Sequence, residues 1–137
     1  MIIDAEDQVL GRVASHAAKQ AMLGKDVDIV NAEKAIITGS KADVVQKYKR
    51  KQNMGVPKKG PYQPRTPDRF FKRTIRGMLP YKKPRGKQAF KRIKCHVGVP
   101  ARFEGEGEKV PKADVRKLQN RKYVYVETVC KELGAKV

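Results

Sequence analysis

Four apolar pairs spaced four residues apart do most to restrict the folds open to this chain: Val9 with Leu10, Val13 with Ala14, Ala17 with Ala18, and Ala21 with Met22. That spacing is close to the turn of an α-helix, so the pairs form one stripe, and its small side chains suit close packing on a sheet. Gly24 follows where a left-handed residue commonly ends a helix. Ile2 and Ile3 before this helix, and the run 27–31 after it, read as short strands. A strand, a helix and a second strand in succession define an α/β layer fold with a mostly parallel sheet.

The rest of the chain continues the pattern. Ala35, Ile36 and Ile37 form another short apolar run. Ser40 with Asp43 three residues later is a capping box, opening a helix through Val44, Val45 and Tyr48. From Gln52 to Arg65 periodicity gives way to Gly, Pro, Lys and Tyr, so this stretch is expected to be an arm, poorly ordered alone and ordered on a partner. Thr66 as N-cap, Pro67 at the first helical position and Asp68 at the positive end of the dipole start a helix that Pro80 stops. Ile93, Cys95 and Val97 alternate with Lys94 and His96, a strand with one buried face. Residues 101–110 read as turns, 111–118 as a short helix, 123–126 as a strand and 127–133 as a last helix closed by Gly134. A chain of 137 residues fits one domain with a real core. Its parts are a core of residues 1–50 and 93–100, a basic arm with helices over 51–92, and an extension over 101–137.

Charge distinguishes the middle of the chain. The formal net charge is +18, and residues 41–94 hold 19 lysines and arginines against only Asp43 and Asp68. Such an imbalance repels itself unless an anionic partner offsets it, and nucleic acid is the leading candidate. On the helix after Pro67, Arg69, Lys72, Arg73 and Arg76 fall within roughly a 100° arc, opposite Phe70, Phe71, Ile75, Met78 and Leu79. One side docks and the other presents cations. Arginine forks onto phosphate and stacks on bases, whereas lysine is a mobile point charge, a mixture suited to irregular RNA.

Other functions find little support. The chain carries no P-loop, dinucleotide fingerprint, nucleophile elbow or His-Glu-x-x-His motif, no catalytic residue is assigned, and neither a cofactor nor a small-molecule substrate is expected. Cys95 beside His96 lacks two further zinc ligands at usable spacing. Asp4, Asp7 and Glu33 are the residues a metal-dependent nuclease would use, although turn and capping roles explain them as well. Cys95 and Cys130 read as buried thiols in a reduced, cytoplasmic setting. No signal peptide or membrane-spanning run is expected, and the basic helix lacks the exposed apolar face of a membrane-surface helix.

Five blocks in order resemble a known family: Asp4-Ala5 with Leu10-Gly11-Arg12-Val13-Ala14-Ser15; Val30-Asn31-Ala32-Glu33-Lys34; Ile37-Thr38-Gly39-Ser40-Lys41; Pro67-Asp68-Arg69-Phe70-Phe71; and Arg76-Gly77-Met78-Leu79-Pro80. They resemble the universal large-subunit ribosomal protein L-thirteen family in its archaeal and eukaryotic form. The resemblance implies a three-layer α/β/α domain with a four-stranded, mostly parallel sheet. It also implies a non-enzymatic role in the large subunit, binding its rRNA early in assembly beside neighbouring ribosomal proteins. RNA contacts would then fall on Lys41, Lys47, Lys49, Arg50 and Lys51; on Lys58, Lys59, Tyr62 and Arg65 of the arm; on Arg69, Lys72, Arg73 and Arg76; and on Lys82, Lys83, Arg85 and Lys87. Gly77, Met78 and Leu79 would fix the helix end against the core. A messenger-RNA-binding regulator outside the ribosome is the alternative.

Overall fold

The computed structural model describes residues 1–136. In chain order the elements are β1 (Ile2–Asp4), α1 (Leu10–Met22), β2 (Val27–Val30), a 3-10 turn (Ala32–Lys34), β3 (Ile36–Thr38), α2 (Lys41–Asn53), α3 (Pro67–Met78), α4 (Pro84–Lys91) and β4 (Ile93–Cys95). Two further 3-10 turns (Ala101–Phe103 and Val115–Lys117), β5 (Tyr123–Tyr125) and α5 (Val126–Glu132) complete the chain.

The strand–helix–strand unit forms as the stripe requires. β1 and β2 are parallel with Ile3 opposite Ile29, and α1 buries Leu10, Val13, Ala14, Ala17, Ala18 and Ala21. Gly24 ends α1 at a φ of 95°, a conformation that costs a glycine little. β4 adds a third parallel strand on the other side of β2, with Val27 opposite Ile93 and Ile29 opposite Cys95. Helices α1, α3 and α4 all pack on β4 and α1 packs on both others, so they share one face of this sheet.

The expected four-stranded sheet within three layers does not form. The parallel sheet has three strands, β1-β2-β4, and β3 pairs instead with β5, antiparallel, with Ile37 opposite Val124. Helices α2 and α5 pack on this second ribbon. The physical reason lies at Asn31, which takes a left-handed φ of 54° and turns the chain out of the β2 direction, while its side-chain amide donates to Asp4 Oδ1 at 2.9 Å. Residues 101–136 are tied to the rest: the Asp4 amide donates to Glu108 O at 3.0 Å, Val9 to Ala113 O at 2.8 Å, and Val126 to Ala35 O at 2.8 Å. They also supply Val110, Ala113, Val124, Val129 and Leu133 to the core.

Three local expectations need correction. The stretch 111–118 is a turn followed by a 3-10 turn, because Asp114 accepts from the Arg116 amide and the Val115 amide donates to Asp7 O, which diverts donors from a helix. Val97 is 51 % exposed rather than buried, since β4 ends at Cys95 and the chain turns away at Gly98. Thr66 contributes no side-chain cap to α3, although Pro67 does occupy its first turn.

Candidate nucleic-acid interface

Helix α3 buries Phe70, Phe71 and Ile75 along one side, each aromatic contributing about 1.5–3 kcal/mol of burial. That side fixes where the cationic one points. Arg69 is exposed, while Lys72, Arg73 and Arg76 are half-buried, their stems lying along the surface. The four separate into two directions at their tips. Lys72 Nζ sits 4.9 Å from the centre of the Phe90 ring, towards α4, whereas Arg76 stacks 4.8 Å over Tyr81 at the start of the basic loop. Burial, and then the nearby charge of Arg76, pulls the pKa of Arg73 below its ordinary value. A like charge nearby favours an anion that offsets both. Met78, placed with the docking residues by its spacing, is 44 % exposed at the last position of α3; Leu79 carries the anchoring instead and Gly77 is exposed.

Helix α2 joins this surface through aromatics. Tyr48 meets Phe70 at 4.7 Å between ring centres, tilted by 59°, and Lys51 Nζ stands 5.2 Å over the Tyr48 ring. Between α2, α3 and the arm lies a groove of about 420 Å³ in which Tyr48 and Phe70 meet Lys51, Gln63, Arg73 and Thr74. Aromatic faces beside cations and amide or hydroxyl groups are what a nucleobase or ribose stacks on and bonds to. Tyr48, Gln63 and Thr74 were not picked out by sequence. The three-residue step from Tyr48 to Lys51, which puts both on one side of α2, is a signal for Tyr48; Gln63 and Thr74 carry none.

The arm folds back on itself. The Lys59 and Gly60 amides both donate to Val56 O at 3.1 Å, and the Tyr62 hydroxyl donates to Pro57 O at 3.0 Å, leaving Lys58 and Lys59 exposed at the tip. Gly55, at a φ of 84°, allows the closure, since a Cβ there would lie 1.7 Å from Gly60 O. Local backbone bonding thus closes the tip of the arm into a turn. Its ends fall in different places: Pro61 and Gln63 line the groove, and the Arg65 guanidinium lies beside Gly134 after α5.

Sixteen of the sequence-predicted site residues are cations. Among the described residues, only Lys41 and Lys49 pair with a carboxylate, both with Glu132, at 3.4 and 3.7 Å. Those pairs are solvent-exposed and weak, and they turn that side of α2 towards α5. Among the described residues Lys47, Arg50, Lys51 and the cations of the arm and of α3 keep their charge unpaired, as do Lys82 and Lys83 and, on the first turn of α4 rather than in the expected loop, Arg85 and Lys87. Lys82, Lys83, Arg85 and Lys87 are all exposed.

The acidic and metal candidates hold the fold instead. Asp4 accepts from the Glu6 amide at 3.0 Å and from Asn31, Asp7 accepts from the Tyr125 hydroxyl at 3.0 Å, and both Glu33 oxygens accept from the Gly98 amide at 3.2 and 3.0 Å. His96 Nε2 lies 2.8 Å from Asp28 Oδ1 rather than turning to Cys95. Among the described residues no three such side chains gather as a metal site would need, and no helix is long and apolar enough to cross a membrane.

The fold and this surface define a small basic α/β protein whose unpaired cations are mounted on a hydrophobic body. The family model described as Ribosomal protein L13 matches residues 1–102, and the chain belongs to that family. It is 46 % identical over 136 residues to the large ribosomal subunit protein uL13 of Methanococcoides burtonii, covering 98 % of each chain. It is 45 % identical to the protein of that name from Methanopyrus kandleri, covering 97 % of this chain and 86 % of the relative. To that of Haloarcula marismortui it is 42 % identical over 135 residues, covering 98 % and 91 %.

Proposed function

We propose that this protein is a structural constituent of the large ribosomal subunit that clamps large-subunit rRNA, early in assembly and beside neighbouring ribosomal proteins. The observation that carries the proposal is the set of fourteen cations on α2, the arm, α3 and residues 82–87 at the start of α4 that lack any carboxylate within 4 Å among the described residues. The relatives, all named as large ribosomal subunit proteins, set where the partner is sought. Mechanistically, the α/β body, whose core also draws on α3 and on residues 101–136, is a rigid mount. Lysines and arginines over 41–94 neutralise phosphates on converging RNA segments, while the groove beside Tyr48 takes an unstacked nucleoside between the Tyr48 ring and Arg73.

Such a constituent resides in cytoplasmic ribosomes. Fractionating a cell extract on a sucrose gradient tests this: the protein is expected at one copy per large subunit and to stay there through a high-salt wash. Recovery with messenger RNA free of subunits would instead mark a translational regulator and refute the proposal.

A further inference from the structure

A second basic surface lies outside the 41–94 stretch. Arg12, His16 and Lys19 recur at four and three residues along the exposed side of α1, and Lys112 and Lys117 face them from the C-terminal segment across an open groove of about 770 Å³. This volume is within the ~300–1,000 Å³ of ligand clefts. Among the described residues none of these four lysines and arginines has a carboxylate within 4 Å. The far wall is built in rather than loosely draped. Gln8, 1 % exposed, donates to Val110 O and accepts from the Val110 amide, both at 3.1 Å, and Arg12 Nη1 donates to Lys112 O at 2.8 Å.

Gly11 lines the same groove, and the fold does not need it to be glycine. It is helical, and a Cβ placed there meets nothing within 4 Å. Glycine within a helix is disfavoured relative to alanine, so its presence costs stability without relieving any contact in the free protein. What it does is leave the groove open for close approach by another chain's backbone. Arg12 and Lys19, seven residues apart, stand about 10 Å apart along the helix axis, so the charges line a track rather than a point.

We infer that this groove binds a phosphodiester segment of RNA distinct from those on the α2–α3 surface, an inference that rests on the rRNA-binding reading above. Because α1 packs directly on α3, the two basic surfaces are joined through the core and hold two RNA segments at a fixed separation.

The test is filter binding of the full-length protein to purified large-subunit rRNA at 50 and 200 mM salt. Lys19→Gln/Lys112→Gln/Lys117→Gln, which removes three phosphate contacts, is expected to lower the ratio of the two affinities by about 30-fold. Gly11→Gln, which plugs the groove without changing charge, is expected to weaken binding by on the order of tenfold with an unchanged or higher melting temperature. Wild-type binding by both variants, while Arg73→Gln/Arg76→Gln binds weakly, overturns the groove and leaves the main interface standing. Wild-type binding by all three overturns both. Wild-type rRNA binding by the triple variant, with loss of its incorporation into subunits, assigns the groove to a neighbouring protein and also overturns the inference.

Discussion

Replacing Gly86 and Gly77 by alanine makes the same chemical change in two helices and should have opposite effects. At Gly86, buried in the first turn of α4, an added Cβ would lie 2.1 Å from Pro80 O, 2.4 Å from Pro80 C and 2.9 Å from Tyr81 N. All three are backbone atoms, so no rotamer change relieves the clash. The turn and the helix must separate by about 1 Å to reach the shortest Cβ contacts that real structures tolerate. Overpacking of this kind costs about 1–3 kcal/mol, against about 0.5 kcal/mol gained from alanine in a helix. The net loss is about 0.5–2.5 kcal/mol. With an unfolding entropy of about 2.1 cal/mol/K per residue over 137 residues, that lowers the melting temperature by about 2–9 °C. At Gly77 a Cβ meets nothing within 4 Å, so alanine there should raise the melting temperature by about 1–2 °C. Far-UV circular dichroism during heating and in urea reads both. The turn at Pro80 and Tyr81 also seats Arg76 and leads into Lys82 and Lys83, so Gly86→Ala should weaken rRNA binding while Gly77→Ala does not. A Gly86→Ala protein as stable as wild type would refute the close approach of α4 to that turn.

Arg73→Gln with Arg76→Gln should flatten the salt dependence of rRNA binding by about 1.4–1.8 in log–log slope, with a stability loss of no more than about 1 kcal/mol, read by filter binding and urea titration. Glu132→Gln removes the carboxylate that Lys41 and Lys49 share and should strengthen rRNA binding while changing stability by less than about 0.5 kcal/mol. Burial pushes the Cys95 and Cys130 thiols up to about 12, so neither should react with a disulfide reagent at pH 8 until urea unfolds the protein. A thiol pKa raised on folding stabilises the fold fully below its ordinary value near 9. That stability should drain away between about pH 9 and 12, detectable as a falling urea midpoint.

What the sequence disclosed was what is periodic or local. The apolar pairs of α1 and the opposed faces of α3 follow from 3.6-residue geometry, and the Ser40–Asp43 cap closes within one turn. The β3–β5 ribbon was hidden because it joins two three-residue strands from distant parts of the chain, with no local signal for their pairing. Residues 111–118 have helical composition, but their backbone groups bond to Asp7 and Val9, partners visible only once the chain has folded. The cations of the interface were plain from composition. Which of them are spent on Glu132, and which aromatics floor the groove, depends on how α2 crosses α3 and meets α5, which spacing within one helix does not encode. The α1 groove went unseen because nearly a hundred residues separate its two walls.

The salt dependence of wild-type binding to purified large-subunit rRNA tests the central claim most directly. If the unpaired cations on α2, the arm, α3 and residues 82–87 neutralise six or more phosphates, log affinity should fall against log salt with a slope of about −4 or steeper. A slope near zero, with binding that persists unchanged through the series, would contradict the account.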